Sequence, residues 1–168
     1  MRLIEAVKDA EKDDRIQGIL KKDGFLCAAY VTLKPDQDEI NVWELGYYDP
    51  KTNLITPVTV TDDFVNVSEP DYPMEGRVHE VLRGDVTIPS KEALRMGKEA
   101  AGKHQLPIQS IMLSLRKKED GFEWTAVFIT QMMSIIIVRI DAEDGKIKED
   151  SVESLVANKY TKQQGSAS

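Results

Sequence analysis

The sequence is short of several features, and each shortage excludes a class of protein. Its single cysteine, Cys27, excludes an internal disulfide. No stretch approaches 18 apolar residues, so the sequence predicts no membrane-spanning helix. Lysine and arginine number 22 against 29 aspartate and glutamate, for a net charge of −7, whereas nucleic-acid binders usually carry a basic stripe. We therefore expect a soluble, acidic globular protein that does not bind nucleic acid.

Motifs that carry chemistry are scarce as well. Neither histidine, His79 or His104, belongs to an H-E-x-x-H zinc motif, and the sequence has no phosphate-binding glycine loop and no G-x-S-x-G turn. The acidic run that begins at Asp141 lacks the glutamate that an EF-hand calcium loop needs at its twelfth position. The sequence therefore predicts no catalytic residue, no cofactor and no metal ligand.

The N-terminal stretch, MRLIEAVKDAEKDD, is charged and has neither the apolar core nor the small-residue cleavage site of a signal peptide. We expect a cytoplasmic protein. A chain whose signal had already been removed would read the same, so an extracytoplasmic location is the alternative. Cys27 lies within the apolar run GFLCAAYVTL, which favours a small buried side chain over a reactive thiol.

Two segments have the spacing of amphipathic helices. The first covers residues 2–14, with Leu3, Ile4, Val7 and Ala10 on one side. The second follows Ser90, and its apolar side consists largely of small residues that would let it lie close to a sheet: Ala93, Leu94, Gly97, Ala100 and Ala101. Turn signals such as Asp23-Gly24 and Asp120-Gly121 divide most of the remaining chain into short strands.

Two stretches of the chain resemble each other. INVWELGYYDPKTNLIT and SIIIVRIDAEDGKIKED both read as an apolar run, an aspartate, a turn and a second strand. Ile16-Gln17 matches Ile108-Gln109, and Asp23-Gly24 matches Asp120-Gly121, at a spacing near 92 residues. We interpret this as an internal repeat. The predicted fold class is α+β, with two similar modules that each pack one helix on an antiparallel sheet.

This interpretation divides the chain into four parts. Residues 1–61 form the first module and residues 90–157 the second. The connector, 62–89, contains three prolines, and we expect in it a short strand at residues 64–67 and a helical turn near 77–82. Residues 158–168 are polar and predict a disordered tail.

The second module resembles a PepSY-type domain. The resemblance rests on the helix TIPSKEALRMGKEAAG, the strand FEWTAVFI and the hairpin IIIVRIDAEDGKI, whose residues Val138, Ile140, Asp141, Ala142, Gly145, Lys146 and Ile147 fit the family pattern. The first module matches it more loosely, as a tandem copy. The resemblance implies a cystatin-like fold without catalytic residues. Some family members lie in propeptides of secreted metallopeptidases, but this chain contains no peptidase domain.

The function expected from these observations is that of a non-catalytic protein-binding or regulatory module with a protein or peptide partner. The alternative is a small-ligand sensor, or an enzyme with an unrecognised site, between helix and sheet. Candidate contacts for a ligand or partner are Trp43, Tyr47, Trp124 and Met132. The sequence does not fix the oligomeric state, and a homodimer is among the states that it allows.

Overall fold

The described part of the chain folds into one eight-stranded antiparallel sheet with three helices on one of its faces. The computed structural model describes residues 1–73, 78–81 and 86–156. The helices are α1 (Leu3–Ala10), α2 (Asp14–Leu20) and α3 (Ser90–Gly102). The strands are β1 (Phe25–Leu33), β2 (Val42–Asp49), β3 (Leu54–Thr61), β4 (Val65–Val67), β5 (Ile108–Lys118), β6 (Gly121–Thr130), β7 (Ser134–Asp141) and β8 (Ile147–Ser154). Their order across the sheet is β4-β3-β2-β1-β5-β6-β7-β8.

The predicted fold class, α+β with two similar modules that each pack one helix on an antiparallel sheet, is wrong. Strand β1 pairs with β5 over Tyr30–Leu33 and Ile111–Ser114, so the strands of both halves form one sheet. Two separate sheets would leave the edges of β1 and β5 unpaired, and edge pairing satisfies those backbone groups. The cystatin-like interpretation fails with it, because the sheet dominates the fold.

The internal repeat is wrong for a related reason, since the matched residues lie on different kinds of element. Ile16 belongs to helix α2, whereas Ile108 begins strand β5. The Asp23-Gly24 pair joins a helix to a strand, but Asp120-Gly121 is a turn between two paired strands. Short apolar runs and Asp-Gly turns occur in many folds. A similar order of these features along the chain is therefore not sufficient evidence of a duplication.

Helix α3 lies close to the sheet because its inner side is made of small residues, as the sequence predicted. Its buried side includes Ala93, Leu94, Gly97, Ala100 and Ala101. A Cβ atom added at Gly97 would lie 3.1 Å from the Cβ atom of Ala126 on β6. Helices α1 and α2 cover β2 and β3 in the same layer. The helix expected over residues 2–14 is shorter in the structure, where α1 ends at Ala10 and a second helix, α2, follows it.

The two tryptophans join the halves of this layer. Trp43 on β2 and Trp124 on β6 are buried, and their ring centroids lie 6.4 Å apart. The indole N–H of Trp124 donates to the carbonyl oxygen of Ile88 at 2.8 Å, and that of Trp43 donates to the carbonyl oxygen of Met1 at 3.3 Å. Each ring therefore adds apolar area to the core and also holds a neighbouring chain segment.

Strand β7 shows which face of the sheet is covered. Ile136, Val138 and Ile140 are fully buried beneath the helical layer, whereas Ile135 and Ile137 project to the opposite face and are only half-buried. This alternation follows from the twofold side-chain period of a strand. The face without helices carries further partly exposed apolar side chains, including Tyr30, Met112, Val127 and Ile129.

Asp141 and Gly145 fix the turn between β7 and β8. Asp141 Oδ1 accepts hydrogen bonds from the backbone N–H groups of Glu143 and Asp144, at 2.8 and 3.1 Å. Gly145 has a φ of 74°. Lys148 Nζ lies 2.9 Å from Asp141 Oδ2, and this contact and the two backbone N–H groups lower the pKa of Asp141 to about 2. The carboxylate therefore stays charged and fixes the turn at neutral pH.

In its described residues, the connector from β3 to α3 contains one regular element, the short strand β4. The short strand expected there is present as β4, which pairs with β3. The helical turn expected near residues 77–82 lies partly outside the described residues, and residues 78–81 are not helical. The predicted tail, 158–168, also lies outside them. None of the helices in the described ranges has the length and hydrophobicity needed to span a bilayer.

Replacing Gly145 with valine should destabilise the protein by about 1–3 kcal/mol, because a β-branched residue tolerates positive φ poorly. The new side chain would also press on Ile88, whose Cδ1 atom would lie 3.3 Å from the added Cβ. Urea unfolding of Gly145→Val and of the wild type measures the difference. The control is Glu153→Thr, at an exposed position of β8, where we expect a change within about 0.5 kcal/mol. Equal midpoints for Gly145→Val and wild type would contradict this role of the turn.

Candidate functional site

The central pair of strands separates along half of its length. Strand β5 pairs with β6 along its whole length, from Ile108 to Lys118, but with β1 only from Ile111 to Ser114. Beyond that point, the stretch of β1 before Tyr30 and the stretch of β5 after Ser114 diverge. A β-bulge between Leu26 and Ala28 marks the same part of β1, and bulges commonly bend a strand away from its neighbour.

The connector enters the gap between the diverging strands. The backbone N–H of Val81 donates to the carbonyl oxygen of Leu26 at 2.7 Å, and the Val81 side chain is buried. On the side of β3, Asp71 and Ile55 exchange two backbone hydrogen bonds, at 2.7 and 2.9 Å. The Val81 bond satisfies part of the free edge of β1, and the Asp71 pair holds the connector to the outer edge of β3. They also fix one wall of a cleft.

This cleft, which we call the seam cleft, has a volume of about 410 Å³. It is lined by Cys27, Ala28, Ile55, Pro73, Val78, His79, Val81, Leu115, Arg116, Lys117 and Lys118. Leu115 and Val81 are buried, so the inner end is apolar. Ala28 and Arg116 belong to side-chain rows on the face that the helices leave bare, and the cleft opens there. Its volume lies within the range of ligand pockets, roughly 300–1,000 Å³.

The rim of the seam cleft is positively charged although the protein is acidic. Arg116 lies opposite Glu123 in the β5–β6 ladder. The Glu123 carboxylate is instead 3.6 Å from Lys118 Nζ and 3.8 Å from Arg139 Nε. Within the described ranges, no acidic side chain forms an ion pair with Arg116 or Lys117. On the bare face where the cleft opens, Arg116 thus has no acidic partner among the described residues, whereas Lys117, the next residue of β5, projects to the opposite face.

The seam cleft contains one thiol, that of Cys27. Its surroundings make it unreactive. Its Sγ–H donates to the carbonyl oxygen of Gly46 at 3.3 Å. Burial raises the pKa of the Cys27 thiol to about 11. The nucleophile in thiol chemistry is the thiolate, which is a very small fraction of this group at neutral pH. The sequence interpretation of Cys27 as a small apolar residue agrees with these surroundings.

A second groove, of about 490 Å³, lies beside the start of α3. It is lined by Asp38, Pro89, Lys91, Glu92, Leu94, Arg95 and Lys98. Its charged groups compensate one another: Lys98 Nζ is 2.7 Å from Asp38 Oδ1, Lys91 Nζ is 2.5 Å from Glu39 Oε1, and Arg95 contacts both Glu92 and Glu99. These pairs hold the β1–β2 loop to α3. The larger groove therefore offers a ligand less unpaired charge than the seam cleft does.

The candidate contacts named from the sequence do not form one surface. Trp43, Tyr47 and Trp124 are buried between the sheet and the helices. Trp124 also borders a small recess of about 210 Å³ beside Pro89 and Ser90. Met132 lies in the turn between β6 and β7 and is 67% exposed, away from the three aromatic residues. The structure thus brings two of the four, Trp43 and Trp124, into ring contact.

The histidines occupy separate places. His79 lines the seam cleft, and His104 follows α3, where its Nε2 atom lies 2.5 Å from Asp150 Oδ1 on β8. In residues 1–73, 78–81 and 86–156, no three histidine, cysteine, aspartate or glutamate side chains are grouped so as to hold a metal ion. The sequence also contains the basic run Arg116-Lys117-Lys118, but which of its cations has an acidic partner depends on contacts across the sheet, where Lys118 lies 3.6 Å from Glu123.

Comparisons with known proteins give the fold but no family. No family model matches the chain, and no curated protein matches it. A crystal structure of a predicted lipoprotein from Clostridium difficile 630 is similar, with a TM-score of 0.51 and 13% sequence identity, over 83% of this chain and 89% of that chain. At this identity the similarity concerns the fold alone. The resemblance to PepSY-type domains stays a prediction.

The Cys27 thiol should react slowly with a disulfide reagent at pH 8. Its pKa of about 11, against an ordinary 9.0, lowers the thiolate fraction about 100-fold. We expect the native protein to react at least about 100-fold more slowly than the urea-unfolded chain, because burial also restricts access. A Cys27→Ala, Thr32→Cys variant places an exposed thiol on the same strand and should react rapidly. If native Cys27 reacts as fast as that control, the cleft contains an activated thiol.

Proposed function

We propose that the chain is a non-catalytic binding module that takes up an extended segment of a partner protein in the seam cleft. The observation that carries this proposal is the separation of β1 from β5. Backbone edges of two strands face a cleft there, and an extended peptide can pair with such edges through main-chain hydrogen bonds. The apolar inner end can receive a side chain, and the rim can contact a polar group of the peptide.

The packing on the other face supports binding in the cleft over binding between helix and sheet. Trp43 and Tyr47 are fully buried, and Trp124 is nearly so. These large side chains fill the layer between the helices and the sheet, where the alternative prediction placed a ligand-sensing pocket. The high pKa of Cys27 also supports a binding role, because a neutral thiol is a weak nucleophile.

A small amphipathic ligand is the second candidate, and the volume of the cleft favours it. About 410 Å³ suits a compact molecule as well as one or two residues of a peptide. The two candidates differ in how far the ligand extends. A peptide would continue beyond the cleft over the bare face of the sheet, whereas a small ligand would end inside it.

For the compartment, we propose the cytoplasm, on the grounds of the free thiol of Cys27. The lipoprotein description belongs to the similar structure, and it would favour an extracytoplasmic location if it applied here. Cell fractionation followed by immunodetection of the endogenous protein separates the two. Recovery in the extracytoplasmic or membrane fraction would contradict our proposal.

The peptide-binding role can be tested with a phage-displayed library of random dodecapeptides. We expect the wild-type protein to enrich a family of related peptides, with affinities measured afterwards by fluorescence anisotropy. Ala28→Arg, which places a long side chain in the cleft, should weaken binding at least tenfold.

The matched control is Thr32→Arg, which introduces the same charged side chain on the same strand and the same face, outside the cleft. It should bind the selected peptides like the wild type. Failure to enrich any peptide family, or equal weakening by both variants, would contradict the proposed function. Urea unfolding of both variants establishes that each is folded.

A further inference from the structure

The starts of α1 and α3 border one small recess on the face of the sheet that the helices cover. This recess, which we call the helix-start recess, has a volume of about 210 Å³. Arg2 and Leu3 line it on the side of α1, and Pro89 and Ser90 line it on the side of α3. These four residues are the last one before each helix and the first one within it. Two helix N termini therefore meet at one opening.

Backbone N–H groups at both helix starts lack a protein acceptor. Pro89, which precedes α3, provides no side-chain cap, so the N–H groups in the first turn of that helix are unpaired. In α1, the N–H of Glu5 donates to the carbonyl oxygen of Arg2 at 3.1 Å. Those of Leu3 and Ile4 have no acceptor among the described residues. Because each helix N terminus carries about half a positive elementary charge, the two together favour an anion.

Ser90 adds an unpaired hydroxyl group to the recess. The residue is only 7% exposed, and its side chain forms no hydrogen bond with any described residue. Its oxygen atom is not fully enclosed, unlike the unpaired Nε atom of Arg139, so its open side faces the recess that Ser90 lines. A buried polar group without a partner costs free energy unless a water molecule or a ligand bonds to it. This hydroxyl therefore indicates a hydrogen-bonding ligand independently of the helix ends.

The acidic side chains in the first turns of the two helices are engaged with cations. Arg2 Nε and Nη2 donate to Glu5 Oε1 at 3.1 and 3.0 Å. Glu92 accepts hydrogen bonds from Arg95, which lies one turn further along α3. Among the described residues that line the recess, none is acidic. The partial positive charge of the helix ends is thus not cancelled inside the recess.

We infer that the helix-start recess binds a phosphate group, either as free phosphate or as part of a small organic molecule. The tetrahedral oxygens of phosphate can accept hydrogen bonds from both helix starts and from the Ser90 hydroxyl at the same time. The guanidinium group of Arg2, which lines the recess, also suits phosphate. A volume of about 210 Å³ admits such a group but lies below the roughly 300–1,000 Å³ of pockets for larger ligands. The seam cleft opens on the other face of the sheet, so this inference does not rest on the peptide-binding function.

Titration of the full chain with inorganic phosphate at about pH 7.5, followed by nitrogen–proton correlation NMR, tests the inference. We expect saturating shifts of the backbone N–H signals of Leu3, Ser90 and Lys91, with a dissociation constant at or below about 10 mM. Sodium chloride at equal ionic strength should not produce these shifts. A parallel titration with glycerol 3-phosphate separates the two sources of the phosphate group. Tighter binding of the ester assigns the site to a phosphorylated small molecule, and weaker binding assigns it to free phosphate.

Two pairs of variants locate the site. Ser90→Ala removes the unpaired hydroxyl and should weaken phosphate binding at least about threefold, the effect of losing one hydrogen bond. Its control, Ser110→Ala, removes a hydroxyl from β5 on the bare face and should bind phosphate like the wild type. Arg2→Gln should weaken binding more than Lys8→Gln, which removes the same charge from the other end of α1.

Three results would overturn the inference. The first is a phosphate titration whose shifts are no larger than those of the chloride titration. The second is wild-type affinity of Ser90→Ala for phosphate, because the ion would then bind elsewhere; an unchanged spectrum away from the recess establishes that this variant is folded. The third is binding of acetate as tight as that of phosphate, which would contradict the assignment to a phosphate group.

Discussion

The pairing of β1 with β5 is the contact on which the rest of this structure depends. It covers only Tyr30–Leu33 and Ile111–Ser114, yet it joins two groups of strands into one sheet. The residues that it brings together are about eighty positions apart in the chain, so closing this loop costs conformational entropy. Burial of the apolar layer on one face offsets that cost, because the joined sheet supports one continuous core.

The two tryptophans show how the joined sheet organises that core. Trp43 and Trp124 come from different halves of the chain, and they meet only because their strands belong to one sheet. Their indole N–H groups bind the carbonyl oxygens of Met1 and Ile88, which precede α1 and α3. The same side chains therefore connect the sheet to the starts of both helical segments. A ligand site between helix and sheet would have required this space.

The seam cleft is a consequence of the same pairing. If β1 and β5 paired along their whole length, no gap would lie between them. If they did not pair at all, the two groups of strands would not share a sheet face. The short ladder leaves the strands together at one end and apart at the other, with Val81 of the connector hydrogen-bonded to the free edge of β1. Glu123 on β6 lies near Lys118 of β5 and Arg139 of β7, and Arg116 has no acidic partner among the described residues. The short ladder thus leaves a cleft on the bare face of the sheet.

The sequence by itself determined the local features of the protein. It indicated the small-residue side of α3, the turn signals between strands such as β5 and β6, and the acidic net charge. These features depend on neighbours within a few residues, so the pattern of letters contains them. It did not reveal α2, because Ile16 and Ile19 also fit a strand, and it suggested a repeat that the elements do not follow. Only the tertiary structure decided that the strands form one sheet and that Trp43, Tyr47 and Trp124 lie in its core. It also decided that Ala28, Val81 and Arg116 share a cleft, because strand pairing between distant segments depends on edge matching and joint burial, which no local pattern encodes.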